Sequence, residues 1–406
     1  MDYQKLLIEK FFPYLAIPSQ SEYSATVVPS TKGQYELASK LKEELIALGI
    51  EEVELDSKSI LTAKLRGDKS KRSLGFCAHL DTVDVGLSPV IKPQILHFEG
   101  KPLILNKKEN IVIDPKTHPE LLAYKNEDII FSDGTSVLGA DNKAAIAIIM
   151  TLLEYLVKEK IPHGDILVSF VPDEEIGLRG SKILPLERFN PSFAYTIDSC
   201  EIGELVYETF NASHAILTIE GVSAHPMNAK GVLLNPTLIA YDVISCFCRL
   251  QTPENTEGRE GYIWINEMHS NQRFATLNIN IRDHDKAKYE KKKEYIGEVV
   301  AFMQKRYERA KFSLRIIDDY ANLKDSMNED SKESILLLKE AFKICEIEPN
   351  IFPMRGGTDG SALSIRGLFV PNFFTGAHNF HSAFEFLPIK SFYKSFEVAK
   401  TLVELV

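Results

Sequence analysis

The first half of the chain alternates between apolar runs typical of buried strands and patterns typical of helices. Apolar runs at 74–78, 165–171 and 193–197 predict strands, because β-branched and aromatic residues dominate them. Residues 34–48 and 142–157 predict helices, and leucines recur in the first of these at spacings of three and four. Strands that alternate with helices favour a mostly parallel sheet with helices on both faces.

The pattern changes near residue 210 and changes back near residue 320. Between 212 and 317 the predicted order is strand, helix, strand, strand, helix, strand, which is typical of a ferredoxin-like α+β module. We therefore predict a main α/β domain built from residues 1–209 and 320–406, with an α+β domain inserted at 210–319. Residues 86–130 have weak periodicity, and we expect a long excursion at the domain edge.

Composition narrows the class of protein and its compartment. The chain has 406 residues, 44% of them hydrophobic, and 57 acidic against 47 basic residues give a net charge of −10. A negative chain lacks the basic surface that nucleic-acid binding needs. Its five cysteines are scattered and odd in number, which favours reduced thiols in the cytoplasm over a disulfide framework. We expect neither a signal peptide nor a transmembrane helix, because no apolar stretch is long enough.

Residues that can bind metal ions or transfer protons follow the predicted strands or precede the predicted helix at 142–157. The carboxyl ends of parallel strands share one crevice, so we expect these side chains to converge. Taken singly, each is more often a turn, a helix cap or a surface charge, and the combination is more specific than any member. The candidates are His79, Asp81, Asp141, Glu174, Glu175, Asp198, His378 and His381.

Two imidazoles and several carboxylates in one crevice suit a divalent metal ion of the zinc type. Without a cation, so many carboxylates would repel one another and bind protons instead. Two metal ions bridged by one carboxylate would relieve this repulsion and activate a water molecule. The sequence therefore predicts a metal centre at the carboxyl edge of the sheet.

Several motifs follow one another in an order that resembles a known family. They read HLD, LGADNKAAIAIIM, PHGDILVSFVPDEEIG, AYTID, SAHP and RGGTDGSALS, and the resemblance extends from about residue 2 to residue 400. The chain is similar to the zinc exopeptidase family that includes aminoacylases and bacterial di- and tripeptidases. This resemblance implies a mixed, mostly parallel sheet sandwiched by helices, and an inserted ferredoxin-like lid domain through which two copies form a homodimer.

The resemblance also implies two zinc ions and their ligands. His79 and His381 would each bind one ion, and Asp141 would bridge the two ions. Glu175 and Asp198 would each complete one site. The family further implies a cis peptide bond directly after the bridging aspartate.

Other residues receive roles in catalysis and substrate binding from the same resemblance. Glu174 would be the general base, and Asp81 would orient the imidazole ligand two residues before it. His225 would donate a hydrogen bond to the substrate carbonyl oxygen from the partner subunit. Arg282 and Arg355 are candidates for binding the C-terminal carboxylate of a peptide, because a guanidinium group fits it.

The implied activity is that of a metal-dependent aminopeptidase acting on short peptides, tripeptides foremost. A dipeptidase, a deacylase of N-acyl amino acids and a non-catalytic paralogue that binds peptide or metal remain alternatives. Glu174 argues against the last, since a binding protein does not need a general base. His378 competes with His381 as the final ligand, and we favour His381 because it keeps the family's position before Glu385-Phe386. Asp173 has no predicted role in the chemistry, and we interpret it as a structural residue that accepts nearby backbone N–H groups.

Overall fold

The computed structural model describes residues 2–406, and the chain folds into two compact units. The first unit comprises the chain up to Tyr207 together with Met327–Ile351 and Thr358–Val406. The second unit comprises Glu208–Ser326 and Phe352–Gly357. Along residues 2–406, every helix is too short or too polar to cross a lipid bilayer.

The α-helices found along residues 2–406 are α1 (Tyr3–Leu15), α2 (Lys32–Ala47), α3 (Ala140–Glu159), α4 (Arg179–Ile183), α5 (Pro236–Ile244), α6 (Lys286–Arg306), α7 (Glu329–Ile344), α8 (Asp359–Ser364) and α9 (Ile389–Leu405). The strands of the same residues are β1 (Glu52–Leu55), β2 (Leu61–Leu65), β3 (Leu74–His79), β4 (Gln94–Phe98), β5 (Leu103–Asn106), β6 (Ile111–Ile113), β7 (Glu127–Phe131), β8 (Ile166–Val171), β9 (Phe193–Ser199), β10 (Glu204–Val206), β11 (Asn211–Glu220), β12 (Tyr262–Ser270), β13 (Phe274–Asp283), β14 (Lys311–Tyr320), β15 (Asn350–Ile351), β16 (Asn372–Phe374) and β17 (Phe386–Pro388).

A mixed, mainly parallel sheet organises the first unit, which confirms the predicted fold class. Its strand order is β1-β2-β8-β3-β9-β16-β10-β15, and the central strands β8, β3, β9 and β16 run parallel to their neighbours within that group. Strands β3 and β8 are buried along their whole length, as expected for strands covered on both faces. Because His79 pairs with Val171 in register, both strands end at the same edge.

Helix α3 is the central helix of this unit. Its first 17 residues, 140–156, are buried, and it packs against α1, α9, β3 and β9. A mostly apolar helix that is buried on all sides belongs inside a core. The start of α3 is therefore fixed firmly beside the edge where β3 and β8 end.

The segment at 86–130 contains more regular structure than its weak periodicity predicted. Strand β4 pairs with β7, β7 pairs with β17, and β5 and β6 form a hairpin. In β4 most residues are exposed or half-buried, so apolar side chains are spread over both faces. A strand with little buried surface gives a weak hydrophobic pattern, and this explains why the sequence did not reveal it.

The second unit has the predicted ferredoxin-like arrangement. Its antiparallel sheet has the order β12-β13-β11-β14, and α5 and α6 pack against this sheet. In β11 and β13, buried and half-buried positions alternate, as expected for a sheet with one covered face. Helix α5 begins at Pro236, because Asn235 caps it by accepting the N–H of Thr237 and Pro236 occupies the first turn.

Candidate metal centre

Imidazole and carboxylate side chains of the first unit meet at the carboxyl edge of its parallel strands. His79 is the last residue of β3, and Asp198 is the next to last residue of β9. Asp141 lies in the first turn of α3, where the backbone departs from helical geometry, and the peptide bond to Asn142 is cis, as the resemblance implied. His381 lies in the loop between β16 and β17. The fold thus brings together residues from four separate segments.

Asp141 is the centre of this cluster, because its two carboxylate oxygens face different imidazoles. Oδ1 lies 2.9 Å from Nε2 of His79, and Oδ2 lies 3.1 Å from Nε2 of His381. A further carboxylate accompanies each ring. Oδ1 of Asp198 is 3.6 Å from Nε2 of His79, and Oε1 of Glu175 is 3.1 Å from Nε2 of His381.

These side chains form two half-sites that share Asp141. The buried half-site consists of His79, Asp198 and Oδ1 of Asp141, and the His79 side chain is 2% exposed. The exposed half-site consists of His381, Glu175 and Oδ2 of Asp141, and the His381 side chain is 46% exposed. Each half-site therefore offers one imidazole, one carboxylate of its own and one oxygen of the shared carboxylate.

The cluster fits a divalent cation. One ligand atom each from His79, Asp141 and Glu175 lie within 4.8 Å of one another. Oε1 of Glu175 is buried, and no group between residues 2 and 406 donates a hydrogen bond to it with suitable geometry, although His381 is near. Nitrogen and oxygen donors of these types are the ligands of zinc-like ions. A cation would satisfy the Glu175 oxygen.

The proton affinities of the cluster lead to the same conclusion. Burial raises the pKa of Glu174 well above its ordinary value, that of Glu175 to about 7 and that of Asp198 to about 6. Burial also opposes a charge on Asp141, but hydrogen bonds from the two imidazoles hold its pKa below the ordinary value. Burial would lower the pKa of His381, yet the neighbouring carboxylates of Asp141 and Glu175 raise it to about 11. A bound cation would replace these protons and let the carboxylates ionise.

Asp81 holds the turn that carries Glu174 and Glu175. Its Oδ1 accepts the N–H of Glu174 at 3.0 Å, and its Oδ2 accepts the N–H of Glu175 at 3.1 Å. Nδ1 of His79 lies 3.0 Å from the backbone oxygen of Asp81 and 3.4 Å from its Oδ1. The backbone oxygen is thus the nearer acceptor for the ring, while the carboxylate links the ends of β3 and β8.

His381, and not His378, faces the carboxylates of the cluster. The ring of His378 stacks on Phe386 with centroids 4.7 Å apart, and its Nε2 lies 2.6 Å from the hydroxyl of Tyr124. Burial lowers the pKa of His378 to about 4, so the ring is neutral at pH 7. His378 fastens the loop that carries His381.

Sequence reasoning missed two residues that support the cluster. Glu385 accepts the N–H of Gly139 at 2.8 Å and the N–H of Asp141 at 3.1 Å, so it holds the start of α3. The amide of Asn142 donates to Oδ1 of Asp198 at 2.7 Å. Asn142 directly follows one candidate ligand, and Glu385 lies four residues after another. That proximity is a signal for closer attention, but it does not reveal which group each residue bonds.

His225 belongs to the second unit, where it lines a cleft of about 790 Å³. Its Nδ1 accepts the N–H of Met227 at 3.2 Å. A neutral imidazole that accepts at one nitrogen carries its proton on the other. The neutral His225 ring can therefore donate a hydrogen bond through Nε2.

The two candidate arginines also belong to the second unit, and both bond to its backbone. Arg282 donates to the backbone oxygens of Ser213 and Ile281, at 2.7 and 2.9 Å. Arg355 donates to two backbone oxygens and one hydroxyl of the loop 256–260, over distances of 2.7–3.2 Å. A guanidinium group has five N–H donors, so a carboxylate would have to use the remaining ones.

A parallel sheet with imidazoles and a shared carboxylate at its carboxyl edge defines the class of the protein as a metal-dependent hydrolase. Residues 138–405, about two thirds of the chain, match the model of Peptidase family M20/M25/M40. The chain belongs to this family, which confirms the resemblance seen in its motifs.

Individual relatives cover nearly the whole chain. It is 54% identical to a peptidase T-like protein of Yersinia pestis over 397 residues, which cover 98% of this chain and 96% of that protein. It is 41% identical to peptidase T of Clostridium botulinum strain 657 over 405 residues, 99% of each chain. The fold is similar to that of aminopeptidase PepT from Bacillus cereus, with a TM-score of 0.76, 22% identity and coverage of 99% and 98%.

Proposed function

We propose that this protein is a metal-dependent aminopeptidase that removes the N-terminal residue from short peptides, tripeptides foremost. Relatives named peptidase T support this substrate class over the full length of the chain. The observation that carries the proposal is the position of Asp141, whose two oxygens face the imidazoles of the two half-sites. A carboxylate shared between two sets of ligands is an arrangement that suits a pair of catalytic metal ions.

The two half-sites would hold two zinc ions. His79 and Asp198 would bind one ion, His381 and Glu175 the other, and Asp141 both. Bound zinc lowers the pKa of water and polarises a substrate carbonyl.

Glu174 would transfer the proton. It follows β8 in the same turn as Glu175, and its backbone N–H is held by Asp81. Burial raises the proton affinity of its carboxylate, as a general base that works near neutral pH requires. Glu174 would accept a proton from the attacking water and return it to the leaving amine.

The inserted domain at 210–319 would serve as lid and dimerisation domain of a cytoplasmic homodimer. His225 of one protomer would donate its Nε2 hydrogen to the substrate carbonyl oxygen in the site of the other, where negative charge develops. Arg282 and Arg355 would bind the C-terminal carboxylate of the substrate. Light scattering after size-exclusion chromatography tests the dimer, and a fully active monomer would exclude the role of His225.

One assay with three substrates tests the activity. The purified protein, loaded with zinc, is offered a tripeptide, a dipeptide and an N-acetyl amino acid. We expect release of the N-terminal residue from the tripeptide with the highest kcat/KM. Preference for the dipeptide would make the protein a dipeptidase, and cleavage of the acylated amino acid alone would make it a deacylase.

A variant of Glu174 tests its role as the general base. Glu174→Gln should keep two zinc ions per chain and lose roughly 10²- to 10⁴-fold in kcat, the usual contribution of a general base. Glu154→Gln is the control, because Glu154 is a buried acid of α3 that pairs with Lys10 and Lys158. Turnover by Glu174→Gln at the rate of this control would remove Glu174 from the mechanism.

A further inference from the structure

Asp173 lies directly before Glu174 and Glu175, and the proposed mechanism assigns it no role. It is completely buried, and its φ of +57° lies in the left-handed region. Residues other than glycine seldom adopt this region, although asparagine and aspartate enter it more readily than most, as single residues whose side chains bond locally. A buried acid in such a conformation persists only where its surroundings hold it.

The contacts that hold Asp173 come from the start of α2 and the residues before it. Its Oδ2 accepts the N–H of Ser30 at 2.8 Å, and its Oδ1 accepts the Ser30 hydroxyl at 2.5 Å. Nε2 of Gln34 donates to Oδ1 at 2.7 Å. In return, the N–H of Asp173 donates to Oε1 of Gln34 at 2.9 Å. Asp173 and the buried Gln34 therefore bond each other in both directions.

The next two residues of the turn are held from another side. Asp81, at the end of β3, accepts the N–H groups of Glu174 and Glu175. Three consecutive N–H groups are thus each bound by a side chain distant in sequence: Gln34 binds the first, and Asp81 binds the other two. The two anchors leave the backbone of this turn little freedom.

We propose that Asp173, bound to Ser30 and Gln34, is a positioning residue that directs the side chains of Glu174 and Glu175 toward the metal centre. This inference rests on the proposed function, because it assigns the two glutamates their tasks as base and ligand. The backbone angle at Asp173 sets the path of the residues after it. If Asp173 relaxed to a negative φ, both glutamates would leave the positions in which Asp81 binds their N–H groups.

Two variants of different severity test this inference. Asp173→Asn replaces one acceptor oxygen with an amino group among three donors, and Ser30→Ala removes the hydroxyl alone. We expect kcat to fall roughly 100-fold in the first and roughly 10-fold in the second, since misplacement by about 1 Å costs on the order of 10²-fold. KM should change less than about twofold, because the substrate contacts stay in place. Ser30→Thr, which keeps the hydroxyl, should restore kcat.

Zinc affinity provides a readout that does not depend on turnover. Glu175 belongs to the exposed half-site, so Asp173→Asn should weaken one zinc equivalent roughly 10- to 100-fold, the usual effect of losing a residue that orients a ligand. Competition with a chromophoric chelator measures this affinity. The second equivalent should bind as in the wild type.

Asp165→Asn is the matched control. Asp165 precedes the same strand, β8, at the opposite end, and its carboxylate also accepts a backbone N–H, that of Gly67 at 2.9 Å, and contacts Lys64. Its replacement should lower the melting temperature and leave kcat and zinc affinity unchanged. If Asp173→Asn and Ser30→Ala behave like this control, Asp173 has a purely structural role and the proposal is overturned.

The outcomes also separate this inference from the proposed function. If Asp173→Asn does not fold, Ser30→Ala compared with Ser30→Thr decides the question. If the wild type cleaves no peptide, the proposed function fails, and the chelator competition still decides whether Asp173 positions Glu175. Unchanged zinc affinity in Ser30→Ala together with unchanged kcat would reject the inference.

Discussion

The two half-sites contain the same kinds of donor but are built in different ways. In the buried half-site, His79 and Asp198 lie at the ends of neighbouring parallel strands, which pair as far as Cys77 and Thr196. In the exposed half-site, His381 lies in a loop and has a φ of +61°. Glu175 lies in the turn that Asp81 and Asp173 hold. Apart from the shared Asp141, the sheet therefore supplies both ligands of the buried half-site, whereas a loop and a turn supply those of the exposed half-site.

This difference separates two tasks that one metal centre must perform. A rigid, buried set of ligands can hold an ion as part of the folded structure. An exposed set on a loop can admit substrate and solvent. The half-sites should therefore differ in their contribution to stability and in the rate of ion exchange.

The largest expected effect comes from the residue that both half-sites share. Asp141→Asn places an amino group against one of the two imidazoles, so at least one half-site should lose its ion. We expect metal content to fall from two ions to one or none, and kcat/KM to fall on the order of 10³-fold or more. Metal analysis and the tripeptide assay check this. Two retained ions with full activity would show that the half-sites do not depend on Asp141.

Removal of each imidazole in turn should separate the half-sites by stability. In metal-free protein, His79→Ala leaves buried carboxylates without their partner and should lower the free energy of unfolding by about 3–5 kcal/mol. His381→Ala removes a half-exposed ring, whose charge solvent partly screens, and should cost less than His79→Ala. Urea unfolding measures both values. Equal losses in the free energy of unfolding would contradict the distinction between the buried and the exposed half-site.

The rate of metal removal should differ between the half-sites as well. Addition of a chelator to the loaded protein should release zinc in two phases, with the fast phase from the exposed half-site. Stopped-flow absorbance of a chromophoric chelator follows both phases. His381→Ala should abolish the fast phase. A single phase in the wild type would mean that the chelator removes zinc from both half-sites at the same rate, which would contradict the prediction.

The smallest effect concerns the loop that carries His381. Asn379 has a φ of +57°, and its side chain donates to Oε1 of Glu120 at 2.6 Å. Asn379→Ala should lower the zinc affinity of the exposed half-site a few-fold and leave that of the buried half-site unchanged. Asn379→Gly tolerates the same φ, so comparison of the two variants separates backbone strain from the lost hydrogen bond. A change in the zinc affinity of the buried half-site would show that the two half-sites are coupled through the loop.

The buried half-site was more predictable from sequence than the exposed one. The apolar runs that end near His79 and Asp198 mark parallel strands, and parallel strands bring their carboxyl ends together. The prediction that His381 is a ligand depended on the family resemblance, because no hydrophobic pattern extends into its loop. The paired hydrogen bonds between Asp173 and Gln34 join residues 139 positions apart, so no local sequence pattern indicates them. Strand β4 could not be predicted for a different reason, since most of its residues are exposed or half-buried.

The hydrogen bonds of Glu385 to the start of α3 have a consequence for biosynthesis. Asp141 and its neighbours are translated early, yet the acceptor for the N–H groups of Gly139 and Asp141 arrives only with residue 385. His381 arrives only four residues before it. A nascent chain therefore carries an incomplete metal centre throughout most of its synthesis, and the order of translation itself delays peptidase activity until the fold can close.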